Sequence, residues 1–326
     1  MGTRRPLSAV PAVPNEWARL EEVVLGDATT MLVPARGRAV ASNRLPPWAW
    51  LLELTLDAFL KGRRVPEWIR RRYEGELSRF GDILADNGVT VHRPRPVRPL
   101  PDEPPGLTQM FARDPIVVIG DRLFIARHRE PVLRKEIRGF EWLTERLRDA
   151  GRKVVVMDRV APDGAYLEGG DVLVDLPFVF VGVGRRASNA AGAAWLQQEL
   201  GSAAEVVTVA LRDPHAFHLD TCLTLTGPRR GIVYRDALQA PLPAPLDRYQ
   251  LVDVSRRTYL QVGVNVFSLS PRTVCLQRRH KDTLGRRLQD QGFQIIPVRF
   301  DWHALAGGGL RCATHPLRRV RHGLAV

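Results

Sequence analysis

One pattern recurs along this chain and restricts the folds open to it. Two short apolar runs are joined by a tight turn, an amphipathic helix follows, and a third short apolar run completes the unit. Pro115–Gly120 and Arg122–Ala126 flank a Gly-Asp turn, residues 132–150 carry helical spacing up to Gly151, and Lys153–Met157 follows. The order returns with Asp171–Val174, Phe178–Gly182, a helix over 189–200 and Glu205–Val209. A third pass runs through His218–Leu225, Gly231–Tyr234, a helix near 243–249 and Gln250–Val254. The fourth runs through Gly263–Leu269, Thr273–Leu276, a helix over 281–291 and Phe293–Val298.

Residues 20–92 supply a longer variant. Leu20–Gly26 is a first buried strand, 47–61 and 66–86 have helical spacing, Asn87-Gly88 stops the second helix, and Val89–His92 is a short strand. Residues 93–106 hold six prolines and no periodicity, which makes them a connecting loop. Gly309–Ala313 is the segment expected to close the set. Repetition at roughly 40–50 residues signals repeated architecture. Tight turns between paired strands argue against a doubly wound sheet, in which a helix joins each strand pair. The expectation is an α/β fold of five strand–strand–helix–strand units set radially, helices outside. Residues 1–14 are expected to be a flexible segment and 15–326 a single catalytic domain.

Composition narrows the function classes. The longest apolar runs are strand-sized, so no membrane span is expected, and the N-terminus does not lead into a secretory apolar core. Three widely spaced cysteines, Cys222, Cys275 and Cys312, fit neither a disulfide framework nor a paired zinc site and suit a reducing, cytoplasmic setting. The formal charge of +13 raises the question of an anionic partner. It is carried by scattered arginines without interleaved aromatics, so no nucleic acid is expected to bind. No Gly-rich phosphate loop is present, and no cofactor is expected. A homodimer is compatible with the sequence, with Trp48 and Trp50 as a lid, an interface or an ordinary core helix.

The chemistry-bearing residues fall in four loops. Asp114 stands directly before the Pro115 strand, and Glu168 and Asp171 flank a Gly pair at the start of another. His218 and Asp220 are two apart, on one face if extended. Cys312 follows the run Gly307–Gly309, which frees the backbone to turn sharply and to present rather than bury the thiol. Each loop holds an equivalent place in its repeat, so a radial arrangement gathers them on the central axis. Cys222 and Cys275 sit among apolar strand residues and read as core. A metal is a weak alternative and none is expected, because no helical His pair or paired-Cys spacing is present.

In this order the motifs Arg-Asp-Pro, Glu-Gly-Gly-Asp, His-Leu-Asp and Gly-Gly-X-X-Cys resemble those of the guanidino-group-modifying superfamily. It comprises arginine deiminases, dimethylarginine dimethylaminohydrolases and amidinotransferases, and the likeness runs from about Asn15 to Arg319. The resemblance implies a five-bladed α/β propeller, the pentein fold, and an arginine-like guanidine as substrate. It implies that Asp114 and Asp220 hold the guanidinium, Cys312 attacks its central carbon, and His218 moves protons with Glu168 as partner. Asp171 would line the pocket or support its loop. By the same likeness Arg134 and Arg186 would bind a substrate α-carboxylate; their other reading is two solvated arginines in an arginine-rich chain. The intact Glu168–Asp171 motif leans towards hydrolysis. Asn15–Val23, Arg138–Glu141 and Thr314–Arg319 are reminiscent of amidinotransferases, which keeps amidino transfer as the alternative.

Overall fold

The computed structural model describes residues 12–33 and 62–320. The helix expected over 47–61, with Trp48 and Trp50, lies outside the described residues. Among the described residues, fifteen strands form five three-stranded sheets. The first sheet takes β1 (Arg19–Leu25) and β2 (Thr90–His92). The second is β3 (Ile116–Ile119), β4 (Arg122–Ile125) and β5 (Val154–Val156). The third is β6 (Val172–Asp175), β7 (Phe178–Val183) and β8 (Glu205–Ala210). The fourth is β9 (Leu223–Gly227), β10 (Arg230–Val233) and β11 (Gln250–Asp253). The fifth is β12 (Phe267–Ser270), β13 (Thr273–Gln277) and β14 (Gln294–Val298). Finally β15 (Thr314–Val320) returns to pair with β1 and completes the first sheet.

Every sheet is built alike. The middle strand pairs antiparallel with one neighbour, through a tight turn in sheets two to five, and parallel with the other. The parallel partner arrives only after the intervening crossover, as parallel pairing demands. The antiparallel partners β3, β6, β9, β12 and β15 are the inner strands, and they are buried along nearly their whole length because both faces are covered. Ile116 and Val118 of β3 pack with Val24 and Leu317 of the first blade, while Val117 and Ile119 pack with Val172 and Val181 of the third. On β6, Leu173 turns the other way, into a cluster with Leu223, Ile232 and Val274. A further cluster joins Phe267 and Val298 of blade five to Val23 of blade one. The apolar clusters therefore lie between blades and close the ring: a five-bladed α/β propeller.

The segment closing the ring differs from expectation. Gly309–Ala313 is a turn, and the closing strand is Thr314–Val320, in register from Leu25↔Thr314 to Arg19↔Val320. The segment expected to be flexible is also tied down at its described end. The amides of Ala12 and Val13 donate to Leu317 O and Gly120 O, and Pro14 O accepts from Leu176 N. Those bonds reach three blades from one short stretch.

Of the outer helices, α1 (Glu67–Asp86) buries Tyr73, Glu76, Leu77, Phe80 and Leu84, the stripe its spacing foretold. The helix expected over 132–150 is split into a 3-10 stretch, Pro131–Phe140, and α2 (Glu141–Asp149). The third, α3 (Ala190–Leu200), starts at Asn189, whose side chain accepts from Gly192 N at 2.9 Å. The helix expected near 243–249 is only a 3-10 turn, Ala244–Arg248, among Pro241, Pro243 and Pro245, which deny it helical amide donors. In blade five the stretch 281–290 is a π turn followed by a short α-helix. No helix among the described residues is long and apolar enough to cross a membrane.

Candidate active site

The five inner strands all begin at one end of the ring, and the loops ahead of them meet there. Asp114 lies two residues before β3, Asp171 one before β6, Asp220 three before β9 and Cys312 two before β15. All are buried, with Cys312 5% exposed and Asp220 fully enclosed. The thiol expected to be presented is therefore walled in. The glycines ahead of it serve close packing: a Cβ at Gly308 would collide with the Phe111 ring, and one at Gly309 would sit 2.8 Å from Asn265 Oδ1.

The Cys312 Sγ stands 3.8 and 3.7 Å from the two carboxylate oxygens of Asp220. Burial, then Asp220 and Asp114, push its pKa well above the ordinary thiol value. His218 is gripped on both sides, with Nε2 donating to Glu168 Oε2 at 3.0 Å and Nδ1 lying 3.6 Å from Asp114 Oδ1. Burial alone would lower its pKa; the Asp114 charge, the Glu168 hydrogen bond and the Asp171 charge together override that and raise it to about 10. Glu168, despite its burial, is held well below the usual carboxylate range by its imidazole neighbours. Its backbone amide donates to Ser188 Oγ at 2.9 Å.

His218 and Asp220 were expected on one extended face. Instead, His218 caps a 3-10 turn at Leu219–Thr221 and Asp220 lies within it, which still directs both side chains into the site. Asp171 supports that turn: Oδ1 accepts Leu219 N at 2.8 Å and Oδ2 accepts Ser188 N at 3.0 Å. Its burial raises its pKa to about 6. The paired glycines of the same loop are both required. A Cβ at Gly169 would overlap Arg113 O, and one at Gly170 would lie 2.5 Å from His218 Nδ1 and 2.9 Å from Asp114 Oδ1.

Arg134 lies in the Pro131–Phe140 3-10 stretch and Arg186 in the loop after β7. Arg134 Nε donates to His128 O at 2.9 Å and its guanidinium lies 5.9 Å from the Tyr166 ring centre, while Arg186 Nε donates to Pro214 O at 2.8 Å. Asp114, Glu168 and His218 bring donor atoms within 4.8 Å of one another. The imidazole lies between the two carboxylates, hydrogen-bonded to Glu168 and in charge contact with Asp114. Cys222 and Cys275 are fully buried among apolar side chains, as the strand pattern implied.

The family model for N,N dimethylarginine dimethylhydrolase, eukaryotic, matches residues 67–319, more than three-quarters of the 326-residue chain. The chain belongs to that family. With it the chain joins the guanidino-modifying pentein superfamily, and its propeller is the fold of the solved relatives. The amidinotransferase SxtG from Microseira wollei, of the saxitoxin biosynthetic pathway, superposes with a TM-score of 0.79 at 21% identity, covering 96% of this chain and 98% of its own. The N-terminal domain of ArgZ, a cyanobacterial arginine dihydrolase, gives a TM-score of 0.68 at 17% identity over 91% of this chain and 97% of its own. The mitochondrial glycine amidinotransferase of Danio rerio is 23% identical, covering 96% of this chain and 87% of its own.

Three residues of this pentein site escaped the sequence reading. Asn265 is two residues ahead of β12, in the loop that corresponds to those carrying Asp114, Asp171, Asp220 and Cys312, and that placement was the available signal. Its Oδ1 accepts the amides of Arg311 and Cys312 at 2.9 and 3.1 Å, and its Nδ2 donates to Asp220 O at 3.1 Å. Arg311, next to the thiol, is fully buried and donates from Nη1 to Asp220 Oδ2 at 2.9 Å. Its Nη2 and Nε also reach Glu16 at 3.0 and 3.1 Å. Glu16, the third, accepts both, and Arg311 outweighs its burial to hold it at about 2.

Proposed function

We propose that this pentein hydrolyses the guanidino group of arginine or an arginine derivative through a covalent intermediate on Cys312. The observation carrying the proposal is the pairing of a buried thiol 3.7 Å from Asp220 with an imidazolium bracketed by Glu168 and Asp114. A planar guanidinium is resistant to attack at carbon but offers donors that match carboxylates. Asp114 and Asp220 hold it; Asp220 does so while Arg311, neutralised by Glu16, fixes its other side. The incoming positive charge lowers the cost of ionising Cys312, whose proton affinity in the free site is set high by burial and by those same carboxylates, and the thiol proton passes to solvent as the substrate binds.

The thiolate forms a bond to the central carbon. The carbon–nitrogen bond breaks, and the leaving nitrogen takes the His218 proton and departs as an amine or ammonia. The neutral imidazole then removes a proton from water, which attacks the thiouronium carbon. The carbon–sulfur bond breaks, a ureido product leaves and the thiolate is restored. Glu168 stabilises the imidazolium form of His218, and Asp171 holds the turn that carries it. Arg134 and Arg186 receive the substrate's α-carboxylate.

Amidino transfer is the second reading, favoured by relatives such as the Danio rerio enzyme that align over nearly the whole chain. There an amine takes the place of water. The test is mass spectrometry of products from purified protein given L-arginine and methylated arginines, with and without glycine or lysine. A ureido product without an added amine establishes hydrolysis; a new guanidine on the added amine establishes transfer. Cys312→Ala should reduce either reaction by four or more orders of magnitude, roughly, while guanidine binding persists. Undiminished turnover in that variant would rule out the thiouronium.

A further inference from the structure

Glu168 serves two imidazoles. Its Oε2 is 3.0 Å from His218 Nε2 and 3.2 Å from His128 Nδ1, and its Oε1 accepts the Arg129 amide at 3.1 Å. His128 is 3% exposed; its Nδ1 meets Glu168 as a charge contact outside hydrogen-bond alignment, and its Nε2 has no hydrogen-bond partner among the described residues. Its main chain is fixed by Arg134 Nε on its carbonyl. Three carboxylates face His128: Glu168 from the loop before β6, Glu136 from the 131–140 helix and Asp114 from the loop before β3. Those facing His218 are Asp114, Asp171 and Glu168.

We infer that His128 is a positioning residue of this site, sharing the Glu168 carboxylate with His218 and limiting how tightly that carboxylate holds the His218 proton. A carboxylate oxygen that faces a second imidazole divides its negative charge between the two, and a second positive charge beside it opposes the first. Burial disfavours charge on His128, yet its carboxylate neighbours raise its pKa, Glu168 foremost among them. His128 thus anchors Glu168 in place and loosens its grip on His218 together. A general acid that must also act as base works best when its proton is not held too firmly. The consequence for turnover rests on the proposed role of His218; the shared carboxylate does not.

The test compares the wild-type protein with His128→Leu and His128→Asn. The His218 ring is followed by NMR titration in ¹³C-histidine-labelled protein and assigned with His218→Asn; the pH profile of kcat is measured alongside. In His128→Leu the His218 titration should move up by roughly half a pH unit or more, because Glu168 is left to His218 alone. His128→Asn should fall between, keeping a donor to Glu168 but no charge. The kcat limb reporting His218 should move the same way, whereas a merely structural role would lower kcat without moving the limb. An unchanged His218 titration in both variants overturns the inference. If the leucine variant does not fold, the asparagine variant decides alone by the same criterion. A shifted titration in proteins that turn over no guanidine would leave the shared carboxylate standing and sink the catalytic reading instead.

Discussion

The ionisable side chains at the mouth of the ring set each other's protonation. Buried among carboxylates, Cys312 keeps its proton well above the ordinary thiol range, and His218 keeps its own up to about 10. The free site at neutral pH therefore holds a thiol and an imidazolium, not a ready nucleophile. In the proposed reaction the thiol ionises when the cationic guanidine enters. Iodoacetamide inactivation of the free protein should accordingly be slow at pH 7 and should still be climbing above pH 9. The sign follows from the raised pKa, since the reactive thiolate accumulates only as pH passes it. A reactivity plateau already reached below pH 7 would show a preformed thiolate and refute this state.

At the scale of elements, the strand-initial loop is the working unit, and its glycines are steric requirements. Gly170→Ala would put a methyl 2.5 Å from His218 Nδ1 and displace the imidazole from Glu168 and Asp114. A displacement of that kind is expected to lower kcat by about 100-fold. Gly75, within α1, makes the contrast: its Cβ would meet nothing nearer than Arg79 Nη1 at 3.4 Å. Gly75→Ala should stabilise the fold by about 0.5–1 kcal/mol without touching turnover. Thermal melts and kcat on both variants check the pair; equal losses of kcat would mean the loop glycines carry no special burden.

Across the whole molecule, closure of the ring and assembly of the site are coupled. The stretch that begins at Ala12 hydrogen-bonds to β15 and to the turn before β4, then delivers Glu16 to the buried Arg311. Arg311 in turn bonds to Asp220 and to Val172 O, so one cation ties the N-terminal stretch, blade three, blade four and the thiol loop. Breaking a buried pair by removing one partner leaves an uncompensated charge, and Glu16→Gln should cost about 3–5 kcal/mol. The pH dependence has a definite sign. Glu16 is depressed from 4.5 to about 2, so its stabilisation is present above pH 4.5 and is lost as pH falls towards 2. Acid titration of stability should therefore be shallower in Glu16→Gln than in wild type over that window; an identical acid limb would remove Glu16 from the account.

The period of the repeat was legible from the amino acids alone because it rests on local physics: turn residues between apolar runs, helical spacing and glycine stops. The same period placed Asp114, Glu168, Asp171, His218, Asp220 and Cys312 in the corresponding loops ahead of strands, which sufficed to gather them at one end of the ring. Contacts between blades remote in the chain were not legible. Nothing near residue 311 announces that its side chain will pair with Glu16 and Asp220, and nothing near His128 announces a share in Glu168. Asn265 lay in the corresponding loop without a chemistry-bearing type, and Gly307–Gly309 suggested exposure where Phe111 and Asn265 pack against the glycines ahead of a buried thiol. Local propensity and spacing determined the five units and their order. Burial, and with it the charge each site residue carries, was decided only when the ring closed, because solvation and partners belong to the assembled blades.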